Sequence, residues 1–99
     1  MARITKRRPM PGDVVRVEWL DARTLADWYP TRDATVNLPR VISYGVLLVH
    51  SRIGVSLAQG VTEDAANYLG CLDIPCGMVQ SITVLRRGAH TLPRPRGAR

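Results

Sequence analysis

Apolar and polar residues alternate over several short stretches of the chain, which is typical of half-buried β-strands. In residues 13–20, Val15, Val17 and Trp19 share one face, and the positions between them carry Arg and Glu. Residues 79–85 alternate in the same way. The pattern predicts a strand near each end of a β-rich body, with Trp19 on the inward face.

Three further strands are predicted between these two. Residues 40–50 are long and rich in β-branched and aromatic side chains, and Gly45 is predicted to form a bend or bulge there. Residues 51–54 are typical of a hairpin turn, which leads into a returning strand at 55–59. A short fourth strand is predicted at 69–74.

Two connections are longer than a hairpin turn. The apolar residues of segment 21–39 show no regular spacing, which predicts a long loop after the first strand. Residues 60–69 predict a short helix, because Thr62 can cap its start and Gly70 can end it.

Five short strands in one small domain predict a mainly all-β fold, a small five-stranded barrel with one short helix or 3₁₀ turn. A long loop follows strand one, a tight hairpin joins strands two and three, and a 3₁₀-like turn at 74–78 separates strands four and five. This order resembles that of SH3-like and Sm-like barrels over roughly residues 13–85.

Charge divides the chain into three parts. The net charge is +6, yet residues 1–10 and 86–99 carry four and five cations without an acid, and the body has five Arg against eight acids. We therefore expect a basic N-terminal arm (1–12), the barrel (13–85) and an Arg/Pro-rich tail (86–99), with both ends disordered. Such arms can bind nucleic-acid phosphates. The predicted nucleic-acid-binding residues are Lys6, Arg7, Arg8, Arg86, Arg87, Arg94 and Arg96.

Composition narrows the classes of protein further. The chain has 99 residues, 45% of them hydrophobic and 22% charged, which is typical of a single globular domain. No stretch approaches the roughly 20 apolar residues of a membrane span. Two cysteines are too few for a disulfide framework, and the N-terminus lacks a signal-peptide apolar region. We expect a cytoplasmic protein with reduced thiols and no membrane partner.

Catalytic and metal-binding motifs are weak in this chain. A Cys–His pair of Cys71 or Cys76 with His50 is conceivable, but no nucleophile motif supports it. The four residues between the cysteines fit a zinc knuckle, whereas His50 and His90 lack paired ligand spacing. No Gly-rich phosphate loop is present. We therefore expect no enzyme, no metal site and no cofactor.

The first long loop holds the best candidate for a ligand site. Trp28 and Tyr29 stand near Arg32, with Arg40 at the start of the next strand. Aromatic rings and guanidinium groups can stack a base and pair with a phosphate, so these four residues predict a nucleotide-type ligand. The alternative is that Trp28 covers one end of the barrel, because a chain without Phe has few aromatics for its core. Tyr44 is predicted to lie in the core or at the rim.

Several short motifs add a resemblance. Trp19-Leu20-Asp21, Tyr44-Gly45 and Ile74-Pro75-Cys76-Gly77 match a Trp-x-Asp start, an aromatic-Gly strand and an Ile-Pro-x-Gly turn. Together they resemble small, mostly uncharacterised accessory proteins of tailed bacteriophages. The resemblance implies a phage-encoded protein in a host cytoplasm, and it carries over no catalytic residue.

Three functions follow as hypotheses. The first is a non-enzymatic binding module that sequesters a nucleotide-type ligand or defence signal, and the second is nucleic-acid binding through the basic arms. The third is a protein-interaction or virion component. A homo-oligomer is also expected, since pairing between subunits hides exposed sheet edges.

Overall fold

The fold was taken from a computed structural model that describes residues 8–93. This part of the chain is mostly β-structure, which confirms the predicted fold class. No helix within it is long and apolar enough to cross a membrane. The elements are β1 (Val14–Leu20), the 3₁₀ turn η1 (Thr31–Asp33), β2 (Arg40–His50), β3 (Gly54–Val61), β4 (Tyr68–Pro75), the 3₁₀ turn η2 (Cys76–Met78) and β5 (Val79–Arg86).

The five strands form one antiparallel sheet in the order β4-β3-β2-β1-β5. Short connections join β2 to β3 and β3 to β4, and consecutive strands of this group are adjacent in the sheet. After η2, β5 pairs with β1 on the edge of β1 that faces away from β2. β4 and β5 are thus the two edges of the sheet. Closure of the sheet into a barrel stays a prediction.

The core lies on one face of this sheet. Its buried members are Val15, Val17, Leu47, Val55, Leu57 and Ile74, and side chains of β5 pack against them. Because β4 and β5 are opposite edges yet contribute to one core, the sheet must curl around it. Trp19 packs against the same cluster and donates its indole N–H to the Ser43 hydroxyl at 3.0 Å, which confirms its predicted inward position.

The predicted bulge at Gly45 is wrong in position. Gly45 pairs in regular register with Val15, and the irregularity between β2 and β3 falls at Leu48. Gly45 has a different role, because a Cβ at this position would lie 2.6 Å from the Ala58 carbonyl oxygen. The glycine therefore allows a close approach of two backbones.

The helix predicted over 60–69 is also wrong, since a hairpin loop joins β3 to β4 there. The Thr62 amide donates to the Asn67 carbonyl at 2.9 Å, and the Thr62 hydroxyl donates to the Asp64 carboxylate at 2.7 Å. Ala65 takes a positive φ of 61°. The residues that suggested a helix cap close a tight loop instead. Their side chains can form hydrogen bonds with the backbone of a helix N-terminus or with that of a turn.

Candidate functional site

A buried carboxylate joins the two basic ends of the described chain. Asp13 is only 1% exposed, and its Oδ2 accepts a hydrogen bond from the Met10 amide at 2.9 Å. Its Oδ1 accepts from the Gly88 amide at 2.7 Å, and Arg87 forms an ion pair with Oδ2 at 3.4 Å. We call Met10, Asp13, Arg87 and Gly88 the Asp13 latch. The bonded neighbours offset the cost of burying the carboxylate.

A glycine beside the latch holds the two chain segments in close contact. Gly12 has a φ of +97° and accepts a hydrogen bond from the His90 amide at 3.0 Å. A Cβ at Gly12 would lie 2.1 Å from the His90 carbonyl oxygen, so no other residue fits without a shift of backbone. The Gly12 amide in turn donates to the Leu47 carbonyl at 2.8 Å, which ties this end to β2.

The latch corrects part of the prediction that both ends are disordered. Residues 8–13 and 86–90 are hydrogen-bonded to each other, and Arg87 also donates to the Arg8 carbonyl at 3.3 Å. Sequence reasoning missed this contact because it joins residues far apart in the chain. A local signal did exist, since Asp after Pro-Gly is typical of a turn. Lys6, Arg7, Arg94 and Arg96 lie outside the described residues.

The aromatic loop leaves β1 at Leu20 and enters β2 at Arg40. Its base is closed by a hydrogen bond from the Asp21 amide to the Pro39 carbonyl at 2.9 Å. Within the described chain, no hydrogen bond or ion pair joins any two of the four predicted ligand-binding residues. Trp28 and Tyr29 precede η1, Arg32 lies within it, and Arg40 begins β2. Their role in holding a nucleotide stays a prediction.

The alternative role for Trp28 in covering the barrel end is wrong for this chain, because its side chain is 100% exposed. Tyr44 is not a core residue either. It pairs with Arg16, whose side chain lies on the face opposite Val15 and Val17, and the Tyr44 ring is 63% exposed. Because successive side chains of a strand point to opposite faces of the sheet, Tyr44 lies on the outer face.

Arg40 has an acidic partner on the outer face of the sheet. Its guanidinium lies 3.7 Å from the Glu18 carboxylate, which also lies 3.9 Å from Arg16. The Ser81 hydroxyl donates to Glu18 at 3.5 Å. These exposed pairs are weak, but they turn Arg40 toward a carboxylate on β1.

The two predicted binding regions lie at opposite ends of β1. The Asp13 latch precedes Val14, and the aromatic loop follows Leu20. A strand of seven residues spans about 20 Å. The basic segments and the aromatic loop are therefore joined to the sheet at separate ends, and we treat them as two separate surfaces.

A small polar cluster lies on the outer face of β3 and β4. The Ser56 hydroxyl donates to the Asp73 carboxylate at 2.7 Å, and the Cys71 thiol donates to the same oxygen at 3.3 Å. These two bonds favour the ionised carboxylate, the Ser56 bond most, and they lower the pKa of Asp73. A similar bond from Thr62 lowers the pKa of Asp64 in the β3–β4 loop.

Replacing Ser56 by alanine is expected to raise the pKa of Asp73 toward its ordinary value and to leave that of Asp64 unchanged. Thr62→Ala is the matched control and should raise the pKa of Asp64 alone. Carboxyl chemical shifts followed by NMR between neutral and acidic pH measure both groups in one sample. Any stability that these depressed pKa values contribute is present above the ordinary aspartate pKa and is lost as pH falls through the lowered value. Equal shifts of both carboxyls in either variant would contradict the assignment.

No hydrogen bond joins a histidine to a cysteine within residues 8–93. Cys71 and Cys76 are both exposed and free. The His50 Nδ1 atom is buried without a hydrogen-bond partner. The described residues contain no group of three or more potential metal ligands.

No protein family model, curated protein or solved structure matches this chain.

Proposed function

We propose that this protein is a non-enzymatic binding module that holds the phosphate groups of nucleic acid with its two basic terminal segments. The observation that carries the proposal is the Asp13 latch. It fixes residues 8–13 against residues 86–90, so both basic segments start from one end of the domain.

The charge distribution supports this assignment. Residues 1–10 and 86–99 contain nine of the 14 cations, and the rest of the chain carries three more acids than bases. Arg8 and Arg86 are exposed within the described part, and a guanidinium group is well suited to bidentate phosphate contacts. An acidic body repels phosphate, so binding is confined to the basic end.

Arg87 has a different part in the proposed interface. Its ion pair with Asp13 and its bond to the Arg8 carbonyl hold the two segments together. Arg87 is therefore a positioning residue, whereas Arg8 and Arg86 are the phosphate contacts. Because these contacts reach phosphate rather than base edges, binding should show little sequence preference.

The double variant Arg8→Ala/Arg86→Ala tests the proposal. Affinity for a duplex oligonucleotide is measured by fluorescence anisotropy between about 50 and 200 mM salt, where each phosphate contact contributes about 0.9 to the slope of log K against log salt. We expect the slope to fall by about 2 in the double variant.

Arg23→Ala/Arg52→Ala is the matched control, because it removes the same charge from two exposed positions of the body. Its slope should equal that of the wild type. An equal fall in both double variants would show that net charge alone governs binding. A wild-type affinity that does not change with salt would overturn the proposal itself.

A further inference from the structure

The loop of residues 22–39 exposes an unusual number of apolar side chains. All 18 of its residues are exposed. Trp28 is 100% exposed and Val36 is 88% exposed. Five large apolar side chains exposed in one loop exceed the scattered single residues that are normal on a protein surface, and they indicate an interaction surface. The other large apolar members are Leu25, Tyr29 and Leu38.

An uncharged groove opens in the same molecule where β2 separates from β3. β2 pairs with β3 only from Val46 to His50, whereas β3 stays paired with β4 as far as Val61. The gap is a groove of about 320 Å³, within the size range of small-molecule sites. It is lined by Ser43, Tyr44, Leu57, Ala58, Gln59, Gly70, Cys71 and Leu72, none of them charged.

We propose that Trp28 and its loop dock into this groove on a second copy of the chain, so that two copies exchange their loops in a symmetric dimer. Every copy carries both the loop and the groove. In a two-fold symmetric dimer, each loop therefore occupies the groove of the other copy, and neither loop nor groove is left exposed. The loop is exposed on its own chain, which leaves it free for the groove of another. This inference is independent of the proposed nucleic-acid binding.

Charge favours a second copy as the occupant. The loop holds two Arg and two Asp, so its net charge is zero, and the groove is uncharged. Two copies can therefore meet here without repulsion, although each chain has a net charge of +6. The basic segments start at the end of β1 opposite to the loop. A second groove, on the outer side of β3 and β4, fits less well because the Asp73 carboxylate lines it.

The number of available residues also suits a dimer. A stable interface buries about 800 Å² on each partner, from about 20–30 residues a side. The loop contributes 18 residues and the groove eight, which is in this range. A single Trp can bury about 250 Å², so Trp28 is the expected centre of the interface.

Sedimentation equilibrium of the full chain in about 0.5 M NaCl tests the proposal, because this salt screens contacts made by the basic ends. We expect a dimer for the wild type and a dissociation constant at least about 30-fold higher for Trp28→Ala. Ile53→Ala is the control, since Ile53 is an 86% exposed apolar residue in another turn. It should leave the dissociation constant unchanged.

An engineered disulfide identifies the groove. In a Cys76→Ser background that keeps Trp28, the neighbouring substitution Asp27→Cys should link to the native Cys71 of the other copy under mild oxidation, and the further change Cys71→Ser should abolish the covalent dimer. A link that persists without Cys71 would overturn the groove assignment, as would failure to form any link.

A wild-type monomer, or a Trp28→Ala dimer as stable as the wild type, would overturn the loop exchange. A monomer whose Trp28 fluorescence is quenched by ATP would overturn it as well and would favour the nucleotide site. Because Trp28 is fully exposed, its replacement removes no contact of the folded monomer, and circular dichroism should be unchanged.

Discussion

Replacing Asp13 by alanine is expected to lower the free energy of unfolding by about 2–4 kcal/mol. The variant leaves the amides of Met10 and Gly88 without their acceptor, and it removes the partner of Arg87. The Arg87 side chain is 32% exposed and can turn to water, so the loss should lie at the lower end of the range for a broken buried ion pair. Urea denaturation at neutral pH measures the change.

The same variant should release the two terminal segments from each other. We expect faster hydrogen exchange at the amides of Gly88 and His90, which bond to Asp13 and Gly12 respectively. Glu63→Ala in the exposed β3–β4 loop is the control and should change stability by no more than about 0.5 kcal/mol. A stability change of that small size in Asp13→Ala, with unaltered exchange at Gly88, would show that the latch does not hold the ends together.

Truncating Leu47 to alanine is expected to lower the free energy of unfolding by about 3 kcal/mol. Leu47 is 0% exposed and packs in the cluster that contains Val15 and Val17, so the variant loses apolar contacts and leaves a cavity. For a domain of this size, the melting temperature should fall by at least about 12 °C.

Leu85→Ala removes the same atoms from a β5 position that is 52% exposed, and it should cost about 0.5 kcal/mol or less. If Leu47→Ala does not fold, Leu47→Met keeps the comparison possible, because this swap nearly conserves volume and should cost less than about 1.5 kcal/mol. Equal losses in the Leu47 and Leu85 alanine variants would contradict the assigned core.

The strands were predictable from the chain because each depends on a local alternation of side chains. β2 was predicted at its observed limits, and β1 and β5 within one residue. The 3₁₀ turn at Cys76–Met78 was also indicated, since Pro75 and Gly77 interrupt two strands there. In contrast, the prediction of a helix after Gly60 was wrong. Thr62 and Asp64 form hydrogen bonds within a tight loop, and they use the same side-chain groups that can cap a helix.

The candidate surfaces were only partly predictable. The basic ends could be identified from their excess of cationic residues, and the aromatic loop from its Trp, Tyr and Arg residues. Their arrangement was not, because the Asp13 carboxylate bonds Gly88 across 75 positions of sequence. The sequence pattern also could not predict whether Trp28 is buried. The loop has no regular alternation of apolar and polar residues, so an aromatic residue in it is compatible with a buried or an exposed position.

The amino-acid sequence was therefore enough to predict the β class, the strand positions, the inward face of Trp19 and the division of charge between body and ends. Each of these depends on neighbours within a few residues or on simple counts. The folded chain was needed to show that the basic segments meet at Asp13, that Trp28 is exposed to solvent and that β2 separates from β3 to leave a groove. These features depend on contacts between residues far apart in sequence, where backbone geometry and desolvation decide which groups meet.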